Sequence, residues 1–170
     1  LDIVITMGGL GSRFQEMGYH VPKYKIEAKG RTLFEWSMIS LKGYCDIVNQ
    51  YIFIVREEKK EKVEQFIEER CKILGIAHYQ IIVIDYLTDG QATTAMLGAK
   101  YWKKDNGLLI YNIDTYVEAG EMNSKQLKGD GFIPCFQAKG DHWSFVKLDE
   151  EGKVIEIREK CRISENCTLG

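Results

Sequence analysis

Proline is nearly missing from this chain: Pro22 and Pro134 are the two prolines in 170 residues. A proline-rich linker or low-complexity tail is therefore excluded for its bulk. No apolar run approaches the roughly 18–20 residues that span a bilayer, and no signal-peptide pattern opens the sequence. An excess of one charge is lacking too. Lys and Arg number 23 against 25 Asp and Glu, a formal net charge of −2, so neither a nucleic-acid surface nor an anionic-membrane surface is expected. A polyanionic small molecule stays possible, because its site needs only a few local cations. The five cysteines, Cys45, Cys71, Cys135, Cys161 and Cys167, include no C-x-x-C pair. Reduced thiols in a cytoplasmic protein fit that count better than a disulfide or zinc framework. The three histidines, His20, His78 and His142, have no metal-ligand spacing.

What is present is the composition of a globular domain, 45% hydrophobic and 28% charged. The length suits a single domain over 1–170. Asp2-Ile3-Val4-Ile5-Thr6-Met7 is a short apolar run ending on glycines, which predicts a strand buried on both faces. Similar runs recur at Tyr51–Val55, Ile81–Ile84 and Leu108–Tyr111. Between them, Val63, Phe66, Ile67, Cys71 and Leu74 make one apolar stripe on a charged helix read from residue 57 and stopped by Gly75. Thr32 with Glu35 has the spacing of a capping box for a second helix. A third helix is expected from about Ala92 to Trp102. Strand and helix alternating in this way predict an α/β fold with a mostly parallel sheet covered on both faces. The pattern then changes, and Phe132–Ala138, Trp143–Leu148 and Val154–Arg158 read as three strands, the last two joined by the turn at Asp149–Gly152.

The segment MGGLGSRF follows the first strand directly. Gly8, Gly9 and Gly11 allow main-chain N–H groups to converge on an anion such as a phosphate. The loop is not a dinucleotide fingerprint, since Phe14 stands where its third glycine belongs, and it is not a Walker A loop, since Gly-Lys-Ser/Thr is absent. Arg13 follows the last glycine by two residues, and Pro22-Lys23 comes nine residues further on. Loop amides with Arg13 and Lys23 on two sides suit a nucleoside triphosphate. An ordinary tight turn beside two surface cations is the alternative that these residues leave open.

MGGLGSRF followed by VPKYKIEAKGRTLFEWS resembles the G-x-G-x-R…P-K signature of the sugar-phosphate nucleotidyltransferases, the nucleotide-sugar pyrophosphorylases. The resemblance runs over essentially the whole chain and is greatest to bacterial members of capsule and surface-polysaccharide biosynthesis. It implies a glycosyltransferase-A-like, Rossmann-like fold and the synthesis of an NDP-sugar and pyrophosphate from an NTP and a sugar 1-phosphate. It assigns Gly8, Gly9, Gly11, Ser12 and Arg13 to the triphosphate, and Arg13 and Lys23 to the reacting centre. It also makes Gln91 and Ala92 base contacts, Asp114 of the N-x-D motif the Mg²⁺ ligand, and Glu159 and Lys160 the sugar-phosphate contacts. Cys161 replaces the proline that usually follows that last pair, and Lys25 stands where many members carry an apolar residue. The family usually continues beyond this length and supplies a second metal-binding aspartate. Leu1 is not a start methionine, and the chain stops at Gly170 within a segment that reads as unfinished, so the expectation is a fragment of a longer protein, a single domain lacking its C-terminal portion.

The expected partners are thus an NTP and a sugar 1-phosphate, without nucleic acid or membrane insertion, and with a homo-oligomer allowed. A phosphate monoester has a second pKa near 6, so the attacking oxygen is already ionised at neutral pH. No general base, catalytic triad or nucleophilic cysteine is then required. A glycosyltransferase that consumes a nucleotide sugar, and a non-catalytic nucleotide-binding domain, are the two competing readings.

Overall fold

The computed structural model describes residues 1–57 and 62–169. The charged lead-in at 58–61, part of the helix expected from residue 57, lies outside the described residues, as does Gly170 at the chain end. The chain divides into two compact units, Leu1–Ser124 and Lys125–Gly170.

The first unit runs β1 (Asp2–Met7), α1 (Ser12–Glu16), β2 (Glu27–Ala28), β3 (Arg31–Thr32), α2 (Leu33–Ser40), β4 (Gln50–Arg56), α3 (Val63–Leu74), β5 (Tyr79–Ile84), α4 (Gln91–Met96) and β6 (Leu108–Asn112). Four strands form a sheet in the order β5-β4-β1-β6, with every pairing parallel. Residues 2–7 are buried without a break because β1 is central, and Ile52–Val55 of its neighbour β4 are equally inaccessible. The chain builds outward from β1 through β4 to β5, then returns to place β6 on the other flank of β1. That reversal opens a crevice beyond the carboxyl ends of β1 and β6, the usual ligand position in open α/β sheets.

Local chemistry explains the helices. At α2, the Thr32 hydroxyl accepts from the Glu35 N–H at 3.2 Å, and the Thr32 N–H donates to Glu35 Oε2 at 2.8 Å. This is the capping box read from the sequence. Val63, Ile67 and Cys71 bury one face of α3. Gly75, at φ 71°, closes it, with Ile76 N–H donating to Cys71 O and Gly75 N–H to Lys72 O, a Schellman ending. α4 stops at Met96 rather than continuing to Trp102. Beyond it the chain tightens into i→i+3 bonds, including Gly98 N–H to Ala95 O at 2.9 Å. A Cβ at Gly98 would lie 3.2 Å from Ile52 Cγ2, so this segment is pressed onto β4.

The second unit holds β7 (Cys135–Gln137), β8 (Ser144–Leu148), β9 (Val154–Glu159) and β10 (Asn166–Thr168). These form an antiparallel sheet in the order β7-β10-β8-β9. The Asp149–Gly152 turn joins β8 to β9, and the Asp149 carboxylate accepts from the N–H groups of Glu151 and Lys153. Phe145, Val146 and Cys167 are fully buried, and the Arg162 guanidinium covers the Phe145 ring at 4.7 Å from its centroid.

Asp2 anchors the amino-terminal end of the parallel sheet. Its fully buried carboxylate accepts from Asn49 Nδ2 at 2.7 Å and Gln50 Nε2 at 3.2 Å, and from Lys103 N–H at 3.0 Å and Asn106 Nδ2 at 3.2 Å. Burial pushes the carboxyl pKa up, but the Lys103 N–H and the three amides outweigh it and hold the group below the ordinary aspartate value. Asp2→Ala removes the acceptor of four donors, of which, among the described residues, only Gln50 Nε2 keeps another, the Tyr101 carbonyl at 2.7 Å, and is expected to cost about 3 kcal/mol, read as a fall in urea midpoint at neutral pH. Because the folded pKa is depressed, this contribution is complete above the unfolded aspartate pKa of about 3.9 and fades as pH falls through the folded value. The two proteins should therefore converge in stability in acid. A constant gap down to the lowest pH at which wild type folds would show that the Asp2 charge is not what anchors the sheet.

Candidate active site

The crevice at the end of β1 is walled by the glycine loop. Gly11, at φ 65°, caps α1 in the left-handed conformation, and its carbonyl accepts from Phe14 N–H at 3.0 Å and Gln15 N–H at 3.2 Å. A Cβ built on Gly9 would stand 3.5 Å from Lys23 Nζ, and one on Gly11 would stand 3.6 Å from Lys23 Cβ. The loop therefore runs beside the Lys23 side chain, leaving space for about one methyl group between them. Within the described residues, the main-chain N–H groups of Gly9 to Arg13 form no turn or loop hydrogen bond. Successive open amides on a glycine loop make an anion cradle. Ser12 and Arg13 are exposed at its rim.

Opposite the loop, β6 ends at Asn112 and delivers Asp114. Lys23 Nζ donates to Asp114 Oδ2 at 3.0 Å. The turn bearing Asp114 is pinned from below: Ser37 Oγ donates to Thr115 O at 3.0 Å, Tyr111 Oη donates to the same carbonyl at 3.2 Å, and Ser40 Oγ accepts from Val117 N–H at 2.9 Å. Burial pushes the Tyr111 phenol up to about 12, so it remains a neutral donor. Sequence reasoning missed these three supports. Their signal was small: two serines, Ser37 and Ser40, buried on a helix whose only other polar residue, Glu35, belongs to its capping box.

Gln91, the first residue of α4, donates from Nε2 to Asn112 Oδ1 at 2.8 Å, and Thr6 Oγ1 lies 3.3 Å from the same oxygen. Asn112 thus links the start of α4 to the ends of β1 and β6. Ala92 is exposed beside Gln91, while Gly8 packs near Ile84 and Thr94. A cleft of about 630 Å³ adjoins the loop, lined by Gly9, Leu10, Lys23, Arg56, Glu57 and Asp85 among others. That volume is in the range of small-molecule sites. Arg56, Glu57 and Asp85 were not foreseen, and Gln91 and Ala92 are not among the cleft's lining residues. Lys25 sits over the Phe66 ring, 5.1 Å from its centroid.

Glu159 and Lys160 belong to the second unit. Ser144 Oγ donates to Glu159 Oε2, the residue opposite it in the β8–β9 register, and Lys160 Nζ lies 3.3 Å from Glu159 Oε1. The Ser144 hydroxyl, then Lys160, hold the Glu159 carboxyl below its ordinary range. Lys160 has φ 52°, an uncommon backbone for a residue with a side chain, and its N–H donates to Trp143 O at 2.9 Å.

No group of three or more His, Cys, Asp or Glu among the described residues is arranged to hold a metal alone. Mg²⁺ needs less, since it often takes one or two carboxylates and completes its shell with water and phosphates. Asp114, with a side chain 32% exposed at the strand end, fits that donor set.

A parallel sheet with a glycine loop after its first strand and an aspartate past the switch-point strand is the architecture of an open α/β protein with its crevice at the carboxyl ends of the strands. The nucleoside-diphosphate-sugar pyrophosphorylase of Vibrio cholerae RC9 is 37% identical to this chain, which covers 98% of itself and 70% of that protein with a TM-score of 0.84. The chain belongs to the nucleoside-diphosphate-sugar pyrophosphorylases, within the sugar-phosphate nucleotidyltransferases. The fold is shared with the inositol-1-phosphate CTP transferase of T. maritima, at 16% identity and TM-score 0.76, covering 99% of this chain and 68% of that one. It is shared too with the CTP:phosphocholine cytidylyltransferase of Streptococcus pneumoniae, at 17% identity and TM-score 0.66, covering 98% and 65%. No protein-family model and no curated protein sequence matches the chain.

The loop geometry is testable at Gly11. Gly11→Ala forces a Cβ into the left-handed region at a cost of about 1 kcal/mol or slightly more. We expect a lower unfolding midpoint together with weaker triphosphate binding by calorimetry. Loss of stability with full affinity would separate the left-handed turn from the cradle.

Proposed function

We propose that this chain transfers a nucleotidyl group from an NTP to a sugar 1-phosphate, giving an NDP-sugar and pyrophosphate for capsule or surface polysaccharide. Residues 1–170 are read as a single nucleotidyltransferase domain of a cytoplasmic enzyme. The observation that carries the reading is the conjunction of open loop amides, Lys23 and Asp114 around one crevice, in a chain 37% identical to a nucleoside-diphosphate-sugar pyrophosphorylase.

The reaction is an in-line displacement. A sugar-phosphate oxygen forms a bond to the α-phosphorus while the bond from that phosphorus to the bridging oxygen breaks, and pyrophosphate carries away the electron pair. The attacking oxygen needs no base, being ionised at neutral pH. The obstacle is the approach of two anions, so positioning and charge neutralisation supply the acceleration. In this reading Gly8, Gly9, Gly11 and Ser12 cradle the triphosphate through the backbone, Arg13 swings onto it from the rim, and Lys23 neutralises charge at the α-phosphate. Gln91 and Ala92 meet the base. Glu159 orients sugar hydroxyls and Lys160 holds the sugar phosphate. Asp114 would hold Mg²⁺, which supplies charge neutralisation on the phosphates when bound.

Pyrophosphate release from a panel of NTPs and sugar 1-phosphates tests the proposal: turnover should require both substrates, and release with NTP alone would overturn it. Lys23→Ala should lower kcat by about 10²–10³ while weakening NTP affinity much less, since its charge matters most as negative charge crowds at the transition state. Lys23→Arg should restore only part of the rate, because a planar fork does not replace a compact ammonium. Equal losses in affinity and kcat/KM with kcat unchanged would reduce Lys23 to a tether for nucleotide. Asp114→Ala should nearly abolish turnover with the fold intact.

A further inference from the structure

Lys23 and Asp114 stand 91 residues apart in sequence and meet across the crevice with Nζ 3.0 Å from Oδ2. Neither has another ion-pair partner among the described residues. Both are partly withdrawn from solvent, with side chains 17% and 32% exposed, so their attraction is stronger than that of an open surface pair. The ammonium is also confined on its other side, where the backbone of Gly9 runs close enough that a Cβ would lie 3.5 Å from Nζ. The reading above gives the carboxylate to a divalent cation and the ammonium to phosphate. In the geometry observed, each group is spent on the other.

We infer that Lys23 is an internal cation that closes Asp114 to divalent metal until a polyphosphate draws the ammonium away, so that metal and nucleotide binding are coupled. The inference rests on the assignment of Asp114 to the metal. A compact ammonium on Oδ2 occupies a lone-pair direction a metal would use and cancels the charge that attracts it. A triphosphate in the loop offers the ammonium several anionic oxygens for one. When Lys23 moves to them, the carboxylate regains its charge beside phosphates that complete a Mg²⁺ shell. The coupling is reciprocal, so nucleotide strengthens metal binding by the factor by which metal strengthens nucleotide binding. The free protein would then carry little metal, and the ordinary partner of Asp114 would be metal arriving with nucleotide.

The probe is Mn²⁺ alone, titrated against the full chain without nucleotide at about 0.15 M ionic strength and followed by the electron paramagnetic resonance of free Mn²⁺. Lys23→Met removes the ammonium and keeps the stem, and should tighten Mn²⁺ binding about tenfold; Lys23→Gln should act in the same direction if the methionine protein does not fold. Arg13→Met removes an equal charge from the loop rim and should change the affinity less than about twofold. Asp114→Asn should abolish the tightened Mn²⁺ site in the Lys23→Met background and weaken the residual binding of the wild-type background. Wild-type and Lys23→Met proteins binding Mn²⁺ equally weakly, with Asp114→Asn weaker still, would overturn the inference and leave the metal assignment standing. Equal tightening by Arg13→Met would also overturn it, since a general field and not the contact would then be responsible. Mn²⁺ binding untouched by Asp114→Asn would overturn the metal assignment and the inference together.

Discussion

The contact between Lys23 and Asp114 ties the short 3-10 turn at Lys23–Lys25 to the segment after β6, parts of the first unit that lie 91 residues apart in sequence. For it to form, β6 must return beside β1, because only that pairing brings the turn after Asn112 next to the glycine loop. The loop also runs beside the lysine, where a Cβ on Gly9 would meet Nζ at an ordinary contact distance of 3.5 Å. The serine and tyrosine supports under Thr115 and Val117 then hold the aspartate turn against α2. Sheet order, the close-running loop and the polar props thus meet at one ion pair at the mouth of the crevice.

The groups that meet at the crevice are the Lys23 ammonium and the Asp114 carboxylate, while two thiols elsewhere are held protonated by their surroundings. Cys71, the buried thiol on α3, is pushed up to about 12 by burial and by Glu68, which leaves it a small apolar side chain. Burial likewise raises the Cys135 thiol.

Much of the first unit was legible because its signals are local and strong. β1 and β4 are continuous apolar runs, and Thr32 and Glu35 carry both halves of a capping box in four residues. The β2–β3 hairpin escaped notice because two-residue strands have no period; its turn, Lys29 and Gly30 at φ 50° and 76°, offered one glycine as a cue. β10 escaped for a different reason. Asn166-Cys167-Thr168 is a strand only because β7 and β8 flank it, a nonlocal fact that three residues do not encode. α4 was read too long because the restriction at Gly98 comes from Ile52, a strand away. At the site, residue types announced the glycine loop, Lys23 and Asp114, while the Gln91–Asn112 link and the props on Thr115 depend on register and emerged only with the fold.

A crystal structure with a non-hydrolysable triphosphate analogue and Mg²⁺ tests the central claim, that the loop amides and Lys23 form the triphosphate site, most directly. The account predicts phosphate oxygens within about 3 Å of main-chain N–H groups between Gly9 and Arg13, as hydrogen-bond geometry requires, with Lys23 Nζ moved from Asp114 onto phosphate. A triphosphate lodged elsewhere, with the loop amides facing water and Lys23 still on Asp114, would contradict it.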